Sequence, residues 1–597
     1  MRYRLAALAS LAVFAIWLPY GVGSYTIHVL DVGLVFALLA VGMGLAMGVA
    51  GQINLAQVAF FGAGAYVTAI LTTKSGYGFW TAGAVAVAVS ALLGLLVGIP
   101  ALRMQSHYLG IVTLGLALAF LNWITNAEVA GGADGISAIP VPPLFGVDLS
   151  SDYLYYYLEL AAFAVALAFG LFVVHTSLGR RLRAMRDDAL AASAVGAQIP
   201  LLRMTAFLVA GSYAGIAGVL YAGLIRFVAP ETFSLANMFL LLAMVIIGGR
   251  QRLVGCVVGA IGLTLIREKL VDFATYAQLS YGIVVVLMVV FAPTGLAGVP
   301  ARLRSIVDRR RRGGGAAAPE LAAFQPLAPS TVDLPADRPA LEARGVSKRF
   351  RGLKALDGVS LAVRAGDIHG IVGPNGSGKT TLFNVVSGFY RPSAGAVLIS
   401  GQPAGRAGPY QRSLSGVART FQNLRLFRTL TVRENILVAL DRTRTRWIWR
   451  YPLWPVSVVR AERDLGRRAA ELLDTFGLAG FAAALPGSLP YGTQRRIELA
   501  RAMAGAPRLL LLDEPAAGLN GEEARQLARM VRSIRDSGVT VVLIEHNMGL
   551  VMSLCDRVTV LASGAVIADG TPAEVAAAPA VIEAYLGDAE LSEEMAP

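Results

Sequence analysis

Cysteine is nearly missing. Cys256 and Cys555 are the only two, too few for a disulfide framework or a multi-cysteine metal site, and nothing argues against a reducing compartment. Charge is scarce as well: Asp, Glu, Lys and Arg make up 15% of the chain against 55% hydrophobic residues, which excludes an ordinary soluble protein. The scarcity is concentrated, because residues 32–73, 75–102, 104–127, 160–179, 204–225, 232–249, 253–266 and 273–301 carry no charged side chain. Segment 128–154, in contrast, holds Glu128, Asp134, Asp148 and Asp152 without one Lys or Arg. No Ala-x-Ala cleavage site follows the apolar stretch behind Arg2 and Arg4, so this start reads as an uncleaved first span rather than a signal peptide.

What is present instead is a series of apolar runs. Backbone amides in hydrocarbon must be paired internally, so runs near 20 residues are expected to be helices. Spans are expected near 5–20, 29–50, 55–73, 79–100, 107–127, 155–175, 204–225, 235–249, 253–270 and 279–299. With the N-terminus inside, Arg103, loop 180–203, Arg250 with Arg252 and run 302–312 all fall on the cytoplasmic side, as positive-inside anchoring requires. Lys74 and the trio Arg267, Glu268 and Lys269 depart from that pattern. The formal charge of +13 is accounted for by these anchors, and no nucleic-acid partner is expected. Small residues such as Gly42, Gly44, Gly62 and Gly64 let helix backbones approach closely. Gln52, Asn54 and Gln57 interrupt the second apolar stretch, where they either line a path or hydrogen-bond a turn.

Composition changes over 301–340 to Arg-rich, then Gly and Ala, then scattered Pro and Asp, with too little apolar periodicity to pack. We expect a flexible linker there, between a transmembrane domain at 1–300 and a second domain at 341–587, with 588–597 as a tail. The second domain opens with an apolar strand signal at 368–372, a Gly-rich turn and a helical pattern. Gly373, Pro374, Asn375, Gly376, Ser377, Gly378, Lys379, Thr380 and Thr381 therefore stand in the strand-loop-helix context of a phosphate-binding loop, whose N–H groups and helix dipole hold anionic oxygens. Lys379 is expected to reach the β- and γ-phosphates of ATP and Thr380 to ligate Mg²⁺. The all-apolar strand at 509–512 ends in Asp513 and Glu514, expected to hold Mg²⁺ through water and to act as general base, respectively. Another apolar strand, 541–544, leads to His546, placed to sense the γ-phosphate.

The order and spacing of these residues over 341–587 resemble the ATPases of ABC transporters. By that resemblance Phe350 stacks on adenine, Gln422 contacts Mg²⁺ and relays to the permease, and the loop 517–520 crosses the ATPase dimer. Loop 179–200 resembles the coupling-helix loop of ABC importer permeases, with Asp188, Ala189 and Gly196 in the places of its acidic, Ala and Gly residues. A more specific resemblance is to branched-chain amino acid importers: segments 346–350, 513–518 and 545–548 look like their ATP-binding subunit, and segments 51–66, 108–114 and 131–136 look like a permease subunit of the same systems. The chain looks like a natural fusion of two subunits.

The fold this implies is a multi-span α-helical membrane domain followed by an α/β P-loop ABC ATPase domain. The function it implies is ATP-driven uptake of branched-chain or related amino acids. It also implies a multi-pass protein of the bacterial inner (plasma) membrane, in contact with membrane lipid, with its ATPase cytoplasmic. Expected partners are a second permease subunit, a second ABC ATPase subunit and a periplasmic substrate-binding protein, with two identical fused chains as another arrangement. Rival readings are the same engine carrying urea, short amides or aromatic acids, a membrane-tethered regulatory ATPase without cargo, and an exporter. One departure stands out. The family's signature, which caps ATP on the opposite ATPase, usually offers a Ser; here it reads Leu489, Pro490, Tyr491, Gly492, Thr493 and Gln494. Pro490 supplies neither hydroxyl nor backbone N–H, so the site this signature completes is expected to hydrolyse slowly.

Overall fold

The computed structural model describes residues 2–102, 104, 106–143, 149–269, 282–283, 286–287, 295–298, 321–327, 338–441 and 450–584. Contacts divide the chain into two units, one of Met1–Leu182 with Pro200–Ala316 and the other of Arg183–Ile199 with Ala317–Pro597. Segment 183–199, expected with the membrane domain, thus packs with the second unit. Most of the expected span at 279–299 falls outside the described residues, as do most of the linker 301–340 and all of the tail 588–597.

The first unit is helical: α1 (Arg2–Gly21), α2 (Ser24–Met43), α3 (Gln57–Thr73), α4 (Phe79–Ala101), α5 (Ser106–Asn126), α6 (Asp152–His175), α9 (Ile199–Ile225), α10 (Leu235–Gly248) and α11 (Leu253–Lys269), with α7 (Ser177–Asp187) and α8 (Ala189–Ala194) in the loop between α6 and α9. Each expected span up to 253–270 coincides with one of these. Among the described residues, five helices are long and apolar enough to cross a bilayer: Ser24–Val49, Phe79–Ala101, Tyr108–Asn126, Asp152–His175 and Ile199–Ile225. The first of these joins α2 to a π-helical turn at Gly44–Val49 and is almost entirely enclosed by its neighbours, which makes it the centre of the bundle. Small residues set the spacing. A Cβ on Gly64 of α3 would stand 2.7 Å from the carbonyl oxygen of Gly215 on α9, so only glycine permits that crossing.

The polar trio behaves as a turn. Asn54 Nδ2 donates to Gln57 Oε1 at 2.8 Å, Asn54 Oδ1 accepts from Ala56 N, and Gln57 Nε2 reaches the carbonyls of Leu39 and Ala210, all in buried surroundings. These bonds satisfy the backbone where the π turn hands over to α3.

Helix α2 begins before the charge-free run that marked it, which encloses Asp31. Asp31 on α2 and Glu159 on α6 are buried, and none of their carboxyl oxygens has a hydrogen-bond partner among the described residues. A buried polar group without partners costs about 1–3 kcal/mol. Glu159→Met keeps the volume and removes that cost, so the detergent-solubilised protein is expected to melt roughly 2–4 °C higher, read by differential scanning fluorimetry.

The second unit holds two sheets. An antiparallel one has the order β2-β1-β4-β5, from β1 (Leu341–Phe350), β2 (Leu353–Val363), β4 (Ala394–Ile399) and β5 (Gln402–Pro403). The other has the order β10-β9-β3-β8-β7-β6, from β3 (Ile368–Val372), β6 (Val417–Arg419), β7 (Leu509–Asp513), β8 (Thr540–Ile544), β9 (Arg557–Ala562) and β10 (Ala565–Gly570). Its β3, β6, β7, β8 and β9 run parallel, and β3, β7 and β8 are buried throughout, as expected of apolar strands covered on both faces. Their neighbouring carboxyl ends form the shelf on which a doubly wound sheet builds its site.

Residues 321–327, inside the expected free linker, are packed. Gln325 N donates to Thr475 O at 2.8 Å, Leu327 N to Ser533 Oγ at 3.1 Å, and the Phe324 ring meets Phe476 edge-on at 5.3 Å. Two aromatic rings and three backbone anchors suffice where periodicity gave no signal, because Arg496 Nη1 also clasps Ala322 O.

Candidate nucleotide site and coupling segment

The loop after β3 turns through glycines in the left-handed region, Gly376 at φ 79° and Gly378 at φ 101°. A Cβ on Gly378 would stand 2.6 Å from Ala355 O, so its place at the start of the helix Lys379–Val386 is closed to other residues. Lys379 is buried, and its Nζ donates to the carbonyls of Gly373 (2.8 Å) and Pro374 (2.7 Å). The loop is thereby curled around its own ammonium.

A cleft of about 600 Å³ lies above this loop. It brings together Phe350, Asn375, Gly376, Gly378, Lys379, Thr380, Thr381, Gln422, Glu514 and His546 from the sequence-derived set. Gly373, Pro374 and Ser377 stand behind the lining, the first two holding Lys379. Phe350 is partly exposed at the edge and meets Tyr390 edge-on at 5.2 Å, with Lys348 Nζ 4.9 Å from its ring. The six residues 489–494 lie away from the cleft. Pro490 caps the helix Tyr491–Ala504, Gln494 Nε2 folds back to Leu489 O, Thr493 is buried, and Gly492 sits so close to Glu523 that a Cβ would be 2.4 Å from its Oε1.

The carboxylates at the end of β7 differ in environment. Glu514 has φ 46°, a strained value for a non-glycine residue, and its carboxylate is held from both sides: Oε1 meets His546 Nε2 at 3.0 Å and Oε2 accepts from Gln422 Nε2 at 3.0 Å. Asp513 is buried and its Oδ2 accepts from Arg419 Nη2 at 2.9 Å. Burial pushes the Asp513 carboxyl up despite that guanidinium. Its Oδ1 is buried with no hydrogen-bond partner among the described residues. An alcohol, an amide oxygen and an orphaned carboxylate oxygen form an all-oxygen set that fits Mg²⁺.

Several residues of the site escaped sequence reading. Arg419 pairs with Asp513 and also touches Asn384 and Ser387. Arg495, buried in the helix Tyr491–Ala504, donates to the carbonyls of Phe421, Gln422 and Glu514 and pairs with Glu498 at 2.8 Å, tying the loop of Phe421 and Gln422 to the end of β7. Glu545 accepts from Ala516 N and His546 N, fixing the turn on which His546 stands. Glu545 opens the motif segment 545–548 without a role of its own being legible there, and for all three only their partners identify what they do.

Segment 183–199 belongs to the same unit. Asp188 caps α8 by accepting from Ala191 N, and its other oxygen accepts from Arg425 Nη1 at 2.7 Å. Asp187 Oδ2 accepts from the N and Oγ1 of Thr429, and Arg183 Nη2 bonds Glu434 Oε1 at 2.9 Å. Glu434 is available because it closes a capping box with Thr431 at the head of the helix Val432–Leu440. Burial pushes the Glu434 carboxyl up, but Arg183 and Thr431 outweigh it and hold the group below its ordinary range. This contact is therefore complete at neutral pH and is lost as the pH falls through that lowered value. Gly196, at φ 93°, ends the segment. From Glu514 through Gln422 to Arg425 and Asp188, hydrogen bonds and one loop join the cleft to this segment.

The family profile described as "Branched-chain amino acid transport system / permease component" matches residues 25–292, "ABC transporter" matches 356–517, and "Branched-chain amino acid ATP-binding cassette transporter" matches 565–590. The high-affinity branched-chain amino acid transport ATP-binding protein BraF of Pseudomonas aeruginosa is 44% identical over 42% of this chain and 99% of its own length. Its counterpart LivG of Escherichia coli K12 is 42% identical over 42% of this chain and 99% of its own length. The permease protein LivM of the same organism is 33% identical over 48% of this chain and 74% of its own length. The chain belongs to the branched-chain amino acid ABC transporter family, with a permease and an ATP-hydrolysing cassette fused in one polypeptide.

Proposed function

We propose that the chain imports branched-chain amino acids at the expense of ATP. The relatives matching both halves are named for that cargo, which favours it over urea, short amides or aromatic acids, and a permease half disfavours a merely tethered ATPase. The observation that carries the reading is the two-sided grip of His546 and Gln422 on Glu514 at the mouth of the phosphate-binding loop.

In this reading adenine rests on Phe350 and the phosphates replace the carbonyls around Lys379, with the loop N–H groups and helix dipole behind them. Thr380, Gln422 and, through water, Asp513 would hold Mg²⁺, which would supply charge neutralisation to the phosphates. Glu514 accepts the proton of the water that attacks the γ-phosphorus, and His546 keeps its carboxylate aimed. The Gln422 loop then moves α8 through Arg425 and Asp188, and the helices alternate access.

The working complex holds a second permease, a second ABC ATPase and a periplasmic substrate-binding protein in the bacterial inner membrane, with the ATPase cytoplasmic. Pro490 makes its two nucleotide sites unequal, since the signature lacks a hydroxyl and an N–H at that position. Pro490→Ser is expected to raise phosphate release by the assembled complex by about twofold, as a second site becomes productive. The reading as a whole is tested in proteoliposomes: leucine uptake that requires ATP and binding protein supports it, and its absence with every candidate binding protein refutes it.

A further inference from the structure

A cleft of about 520 Å³ opens within the helical unit between α2, α9, α10 and α11. Its inner wall is apolar, with Phe36, Leu240 and Met244 all buried. Its other side carries charges of both signs, Arg267 near the end of α11 and Glu231 in the turn before α10. Arg267 Nη1 reaches Asn237 Oδ1 at 3.5 Å, and among the described residues it forms no ion pair. The polar side is braced: Asn237 Nδ2 donates to Thr232 O at 3.0 Å, and Thr232 Oγ1 meets Tyr221 Oη at 3.3 Å. Tyr221 and Ile225, at the end of α9, line the cleft.

We propose that this cleft receives a zwitterionic α-amino acid with an aliphatic side chain, on its way through the bundle. The carboxylate faces Arg267 and Asn237, the ammonium faces Glu231, and the hydrocarbon lies on Phe36, Leu240 and Met244. Such a site discriminates by charge as well as by fit. Urea or an amide leaves both Arg267 and Glu231 unpaired, and a dicarboxylate brings a second negative charge against Glu231 and Glu268, which also lines the cleft. The inference rests on the transport reading above and assigns where within the chain the selection by charge is made.

Thiol protection tests it, because Cys256 and Cys555 are both buried and Val32 lines the cleft half-buried. Val32→Cys in the complete complex in nanodiscs is labelled with a charged maleimide, with millimolar leucine, urea or succinate present. Leucine is expected to slow labelling by at least about threefold, urea and succinate not at all, and adding Arg267→Gln is expected to erase the protection. Thr264→Cys, on the α11 wall, is the second probe if the first variant does not assemble. Equal labelling with and without leucine, or equal protection by succinate, overturns the assignment of the cleft when wild-type vesicles import leucine. Vesicles that import none overturn the transport reading itself.

Discussion

Glu514→Gln is expected to lower ATP turnover by the assembled transporter at least about 100-fold while leaving nucleotide binding intact, read as phosphate release beside equilibrium binding of a fluorescent ATP analogue. Gln keeps the shape, its amide oxygen accepting from Gln422 and its amide nitrogen donating to a His546 Nε2 that carries no proton, but cannot take the proton of the attacking water. The positive φ of Glu514 and its contacts with His546 and Gln422 hold one carboxylate geometry before substrate arrives, so the loss is of chemistry rather than of placement. Lys379 and the loop it holds are untouched by the change. Turnover close to that of wild type would mean that the partner ATPase does most of the work, which reverses the proposed inequality of the two sites.

The second large effect is loss of coupling. Asp187→Ala together with Asp188→Asn removes the acceptor for Thr429 and the charge that pairs with Arg425, while Asn still caps α8. Hydrogen bonds to charged groups contribute about 1.5–3 kcal/mol each, so two such contacts exceed the roughly 1.4 kcal/mol that separates tenfold populations. Partial solvent exposure of the Asp188–Arg425 pair moves the figure to the low end. Leucine delivered per ATP hydrolysed is expected to fall about tenfold, with ATP turnover changed by less than about threefold. A variant that transports normally would remove segment 183–199 from the energy path. Equal loss of both activities would show instead that the segment is needed for assembly.

Helices α2 to α6 and α9 to α11 follow from charge-free apolar runs, and the nucleotide cleft follows from glycine, lysine and carboxylate spacing around strands β3, β7 and β8. Both kinds of signal are local. A span is fixed by what hydrocarbon does to an unpaired amide, and a phosphate loop by what glycine lets a short backbone do. The residues that local patterns do not reveal are those whose meaning lies in a distant partner. Arg425 is one of several arginines until Asp188, 237 residues earlier, accepts a hydrogen bond from its Nη1, and Arg495 is helix composition until it reaches the carbonyls of Phe421, Gln422 and Glu514. Asp31 falls inside the expected span 29–50, but only packing encloses it, with Glu159, away from partners among the described residues.

By itself the sequence determined two architectures, the order in which they are joined, and most of the groups that gather at the phosphate-loop cleft, because apolar length and loop chemistry act over a few neighbouring residues. The tertiary structure alone decided that segment 183–199 packs with the ATPase, that residues 321–327 are bound rather than free, and that charges of both signs share a cleft with an apolar wall. Those outcomes depend on surfaces brought together from far apart in the chain, where geometry and not neighbourhood sets the energy.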